Sequence, residues 1–301
     1  MERNCSKICL IKKENGNCSI LGKDNLPLQC VGSWVEEKFY FLERYLNATC
    51  KARKKFSAKG NAVFIDLFAG PGRCIIMNAK KEIDSGGMRA LLREEASFNE
   101  LYYFDIDKEN ASALKIRLQN NPKCLVQEGD SNILIINLME KLLKNPQKYH
   151  FVFIDPFGPS GLKFKTIKYL SQLKRLDMLI HFPIGAIKRN YKQWIKNNDG
   201  ILDEFLGTKE WRDKILNINQ SKITDFFLNI YKNQLKKIGF KEEGLRVIIK
   251  NNFGQTAPIV NIRNTKNVNL YILILVSKHP IAQKIWSSII KIDATGQKQL
   301  F

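Results

Sequence analysis

Ala62-Val63-Phe64-Ile65-Asp66-Leu67-Phe68-Ala69-Gly70-Pro71-Gly72 joins an apolar run rich in β-formers to a turn built on two glycines. A run of that length with no alternation predicts a strand over Ala62 to Phe68 buried on both faces, and the turn predicts that it stops at Ala69-Gly70-Pro71-Gly72. The same unit recurs downstream. Leu101 to Phe104 ends in Asp105-Ile106-Asp107 and is followed by a helical pattern over Lys108 to Leu118. Cys124 to Gln127 closes at Gly129-Asp130 before a helix over Asn132 to Leu143. His150 to Ile154 meets Asp155-Pro156-Phe157-Gly158, Thr166 to Leu173 is helical, and Met178 to Phe182 stops at Pro183. Short apolar strands alternating with helices predict an α/β fold with a doubly wound, Rossmann-like, mostly parallel sheet.

Outside this core the pattern changes. Residues 1–32 are polar and read as an irregular leader carrying Cys5, Cys9, Cys18 and Cys30, and Trp34 to Phe56 predicts one helix. From 184 to 239 the rhythm gives way to Trp-, Phe- and Lys-bearing helical segments, read as an inserted basic lobe. Leu245 to Lys250 and Leu270 to Ser277 then bring the expected strands to seven. The implied organisation is a leader (1–32), a first part of the core (33–183), the lobe (184–239) and the final strands (240–301).

The composition narrows the partners. There are 24 basic against 18 acidic residues in 1–150 and 25 against 11 in 151–301, so the net charge of +20 sits mainly in the second half. A field of that sign concentrates polyanions, and nucleic acid is the expected partner. No apolar run approaches the roughly 20 residues of a membrane span, and no secretory h-region is read at the N-terminus, so no membrane association and a cytoplasmic location are expected. Seven cysteines form no disulfide framework in such a setting. The four leader thiols are a candidate zinc set, or else scattered reduced thiols; elsewhere no metal site is expected.

Ligands of open α/β sheets sit beyond the carboxyl ends of the strands. Asp66, Phe68, Ala69, Gly70 and Gly72 of the first turn are therefore candidate cofactor residues, glycine allowing close approach of the backbone. Asp105, with Ile106, is placed to accept both hydroxyls of a ribose, Asp107 to cap the next helix, and Asp130 with Ser131 to meet an adenine. Absence of a Gly-x4-Gly-Lys-Ser/Thr element and of a Gly-x-Gly-x-x-Gly cradle disfavours phosphate-bearing nucleotides. An unphosphorylated nucleoside ligand remains, and S-adenosylmethionine is the expected one. Asp155, Pro156 and Phe157 are the candidate catalytic residues: carboxylate and proline-flanked carbonyl accept from an exocyclic amine while the ring stacks on its base. Lys188, Arg189, Lys192, Trp194 and Lys196, with Tyr191, mix cations and aromatics as nucleic-acid contacts do. The same helix also reads as a solvated amphipathic element with Trp194 turned inward.

Asp24-Asn25-Leu26-Pro27, Val31-Gly32-Ser33-Trp34 with Glu37-Lys38, Phe64 to Arg73, Ile154-Asp155-Pro156-Phe157-Gly158 and Ser277-Lys278-His279-Pro280 together resemble the three-Cys-motif partner family, over about residues 24 to 286. The resemblance implies a class I, S-adenosylmethionine-dependent methyltransferase fold and a three-Cys-motif protein as a partner. Ser85-Gly86-Gly87-Met88 departs from the Gly-Ser-Pro-Leu that relatives show there. Asp155-Pro156-Phe157-Gly158 also resembles the motif of tRNA guanine-N2 methyltransferases. The expected activity is N-methylation of a nucleic-acid base, RNA ahead of DNA; the alternative is a non-catalytic nucleic-acid-binding or regulatory partner with a vestigial pocket.

Overall fold

The computed structural model describes residues 13–77, 79, 81–92, 97–119, 121–240, 259–263 and 269–291. The chain divides into two units, residues 1–134 with 148–155 and residues 135–147 with 156–301.

In the first unit the deciding stretch forms β2, Ala62–Asp66, every residue of it buried. It pairs in parallel with β5 (Glu100–Asp105) on one side and β7 (Tyr149–Ile154) on the other, and β5 pairs in parallel with β6 (Cys124–Glu128). The order 6-5-2-7 places the first strand of the winding inside, as a doubly wound sheet requires. Helix α1 (Trp34–Ala48) buries Val35, Phe39, Leu42 and Leu46 along one stripe. Its Tyr45 stacks on Phe151 of β7, which in turn stacks on Phe64 of β2. The predicted single helix over Trp34 to Phe56 is broken: α1 ends at Thr49, whose hydroxyl turns back to the Tyr45 carbonyl, and α2 runs Cys50–Ser57. A threonine bonding its own preceding turn competes with helix continuation.

The leader also departs from expectation. Gln29–Val31 is a strand, β1, parallel to β3 (Arg73–Ile76), which forms a hairpin with β4 (Lys81–Asp84). Cys18 and Cys30 are buried against Leu28 and Ile75. Helix α3 is Gly86–Leu91 and α4 is Lys108–Arg117, capped by Asp107 as expected. Asp107 Oδ1 accepts from the Asn110 amide. Helix α5, Ser131–Leu143, follows β6.

In the second unit, α6 (Phe164–Leu170) leads to β8 (Arg175–Phe182), which is antiparallel to β10 (Asn269–Ser277). β10 is antiparallel to β9, Ile259–Arg263, which lies between the two expected strands and is not itself one of them. The strand expected over 245 to 250 lies outside the described residues. Residues 184–239, expected as an inserted lobe, form α7 (Ile184–Lys196), α8 (Ile201–Leu206), α9 (Trp211–Lys214) and α10 (Ile223–Lys237). The ring of Tyr231 on α10 meets Phe205 of α8, Phe164 of α6 and Phe182 of β8, while Tyr191 of α7 and Trp211 of α9 pack on Phe227. The last described helix, α11, is Pro280–Ile289. No helix among the described residues is long and apolar enough to cross a membrane.

Candidate functional site

Each of the four parallel strands of the first unit delivers an aspartate at or just past its carboxyl end: Asp66, Asp105, Asp130 and Asp155. This follows from the repeating unit seen in the sequence, because strands of one direction terminate on one edge. Backbone hydrogen bonds tie the tips together. Leu67 N–H donates to the Phe153 carbonyl, Ala69 N–H to that of Phe104 and Gly129 N–H to that of Asp105.

Asp66 is 1% exposed and accepts from the Phe68 amide at 3.1 Å. Burial, reinforced by the charges of Asp155 and Asp105, raises its pKa to about 8. Those couplings place three carboxylates within one electrostatic neighbourhood. Asp105 is half-buried, and burial raises its pKa as well. Its Oδ1 accepts from the Asp107 amide at 2.9 Å and from Asn110 Nδ2 at 3.2 Å, and its Oδ2 from the Gly70 amide at 2.7 Å. A carboxylate offers about four acceptor positions, so one remains, on Oδ2. The helix start and the glycine turn occupy the other three.

The glycine turn is constrained from both sides. Gly70 and Gly72 have φ of +61° and +89°, where a side chain is strained, and a Cβ on Gly72 would lie 2.7 Å from Leu114 Cδ1. The Gln29 carboxamide lies against Gly70. Phe68 is half-buried, whereas Ala69, Gly70 and Gly72 are buried. Ile106 is 76% exposed directly beside Asp105. Asp130 Oδ1 accepts from both nitrogens of Asn132, while Ser131 is buried. Ile133, which carried no signal in the sequence, is exposed one turn into α5.

Lys38 figures in the sequence only as part of the resemblance and carries no role there. It sits within the apolar stripe of α1, between Val35 and Leu42, and its ammonium donates to Asp155 Oδ2 at 2.5 Å. The two side chains are 10% and 17% exposed. A lysine interrupting an apolar stripe was the available signal, since a buried ammonium needs an anion. Pro156 is buried and Phe157 is 70% exposed, so Phe157 does not fill core. In the second unit Lys188, Arg189, Lys192 and Lys196 are exposed on α7. Trp194 is half-buried, and Tyr191 packs edge-on against Phe227. The aromatic part of the expected mixture is thus partly committed to the core.

The described residues hold no cluster of metal-ligating side chains. Cys5 and Cys9 of the candidate zinc set lie outside them. A cavity of about 410 Å³, lined by Leu91, Phe98, Leu101 and Lys123 among others, belongs to the opposite, amino-terminal end of β5.

No protein-family model matches the chain, and no curated protein matches its sequence. Among solved structures it is similar to a putative methyltransferase, yhhF, from Escherichia coli, at 16% identity and TM-score 0.29, covering 46% of this chain and 70% of that one. It is similar to Trm1 from Pyrococcus horikoshii in complex with S-adenosyl-L-methionine, at 12% identity and TM-score 0.35 over 86% and 62% of the two chains. A putative caffeoyl-CoA O-methyltransferase from Staphylococcus aureus is similar at 10% identity and TM-score 0.34, over 76% and 82%.

Proposed function

We infer that the chain is an S-adenosylmethionine-dependent methyltransferase acting on an exocyclic amine of a nucleic-acid base, RNA ahead of DNA. The observation that carries this reading is the row of aspartates on the carboxyl ends of four adjacent parallel strands, where doubly wound sheets take their ligands. The residues fit an adenosine: an acceptor position on Asp105, an exposed apolar face at Ile106, and Asp130 and Ser131 for the base. Phe68, Ala69, Gly70, Gly72 and Asp66 are assigned to the amino-acid end. When bound, the cofactor supplies a methyl group already activated on a sulfonium.

Asp155 and the Pro156 carbonyl accept hydrogen bonds from the target amine and aim its lone pair. The Lys38 ammonium donates to Asp155 Oδ2 and so fixes where that carboxylate sits. That suits a reaction in which alignment supplies most of the rate. Phe157 offers an exposed ring to an extruded base. Lys188, Arg189, Lys192 and Lys196 meet backbone phosphates, with the edge of Trp194 beside them.

The test is transfer of tritiated methyl to total RNA and total DNA. Label enters RNA with the wild type and falls by roughly a hundredfold in Asp155→Asn, which keeps the shape of the side chain. Label in neither polymer would overturn the reading. One observation favours a second reading, a non-catalytic nucleic-acid-binding partner of another protein such as a three-Cys-motif protein: Gly70, Pro71 and Gly72 are all covered by protein atoms. Retained RNA binding without any heat of S-adenosylmethionine binding would select it.

A further inference from the structure

The N-terminal segment reaches the strand tip of β5 by two routes. Asn17, fully buried, donates from Nδ2 to Asn110 Oδ1 at 2.7 Å, and Asn110 donates from its own Nδ2 to Asp105 Oδ1 at 3.2 Å. Asn15 donates from Nδ2 to Asp107 Oδ2 at 3.0 Å, and the Asp107 amide donates to the same Oδ1 of Asp105 at 2.9 Å. A carboxylate only accepts, so Asp105 dictates which end of the Asn110 amide faces it, and Asn110 dictates the end that Asn17 presents. Asn110 is 4% exposed, too deep for water to replace a missing partner freely.

The segment is itself held in place. Arg117 forks onto both oxygens of Asp24 at 2.8 and 2.9 Å and donates to the carbonyls of Pro27 and Pro71 at 2.8 and 2.5 Å. The Arg117 bond holds the Asp24 carboxyl down at about 2. One arginine therefore clamps the segment onto the glycine turn, while Asn15 and Asn17 engage the start of α4. With Oδ1 filled by these two routes and one position of Oδ2 filled by Gly70, the carboxylate has a single acceptor position to give.

We propose that Asn17 and Asn110 are positioning residues that make the β5 carboxylate recognise one ribose hydroxyl, so that adenosyl-ligand selectivity is set by the N-terminal segment. Asn17 acts only through Asn110. The inference rests on the reading of this tip as the ribose site.

The experiment is calorimetric titration of the full chain with S-adenosylhomocysteine and with its 2′-deoxy and 3′-deoxy analogues. In the wild type one analogue binds about tenfold more weakly than the parent and the other within about twofold. In Asn17→Ala and Asn110→Ala the gap between the two analogues closes to about twofold, as Oδ1 of Asp105, still held by the Asp107 amide, regains an open acceptor position. A merely structural role would lower the melting temperature and leave the gap. Equal losses for both analogues in the wild type overturn the proposal, as do variants that keep the gap. Asn110→Asp, which keeps the shape of the side chain but removes the donor to Asp105, closes the gap in the same way, and a gap it leaves intact overturns the proposal even if both alanine variants fail to fold. No binding of the parent by the wild type overturns the ribose-site reading and the proposal with it.

Discussion

Lys38 and Asp155 show how much one pair of side chains can decide. The ammonium lies within the apolar stripe of α1, and its stabilisation depends on the aspartate at the end of β7. Removing the lysine takes a donor from a largely buried carboxylate, so Lys38→Ala is expected to cost roughly 3 kcal/mol in urea unfolding. Lys38→Met combined with Asp155→Leu should recover most of that loss; equal destabilisation by single and double variants would sink the assignment. Asp66 makes the opposite kind of prediction. Its carboxyl has a pKa of about 8 in the folded chain against an ordinary value of 3.8, so the folded state binds the proton more tightly. Stability from this group is full below about pH 4 and is lost as pH rises toward 8. Asp66→Asn should flatten that decline, measured as denaturation midpoints at about pH 5 and about pH 8.5, on either side of most of the shift. A wild-type midpoint that rises with pH, and equally in the variant, would contradict it.

At the scale of elements, the strands were the most legible part of the sequence. β2, β5, β7 and β8 are each built around a short apolar stretch that ends at Asp or Pro, and long-range burial agrees there with local propensity. The hairpin of β3 and β4 was not legible. Arg73-Cys74-Ile75-Ile76 and Lys81-Glu82-Ile83-Asp84 are four residues each, too short for a period to stand out, and their partner β1 lies in a leader with no strand signal of its own. The break at Thr49 was hidden because the apolar spacing continues across it, and β9 because its five residues include Asn261 and Arg263. The site followed the same rule. Aspartates at strand ends were readable from position alone, whereas Lys38, Asn15, Asn17 and Asn110 act through contacts spanning about ninety residues or more of chain. The glycine turn carries its own prediction. Gly72→Ala adds a strained φ to a 2.7 Å approach to Leu114 and should destabilise by roughly 2 kcal/mol or more, a loss that thermal unfolding would register.

Across the whole molecule the charge of +20 is distributed unevenly, with residues 151–301 carrying 25 basic against 11 acidic side chains. Four exposed cations of α7 belong to that half. Replacing Lys188, Arg189, Lys192 and Lys196 together with glutamine should weaken RNA binding and reduce the slope of log K against log salt by about 3 to 4, because each phosphate that is no longer neutralised keeps its counterion. An unchanged slope would move the polyanion surface elsewhere. The measurement that bears most directly on the central claim is calorimetry of S-adenosylmethionine with the wild type and with Asp105→Ala. One-to-one binding is predicted for the wild type, and none for a variant that still unfolds cooperatively. Binding of equal strength by both proteins would mean that the strand tips do not hold the adenosine.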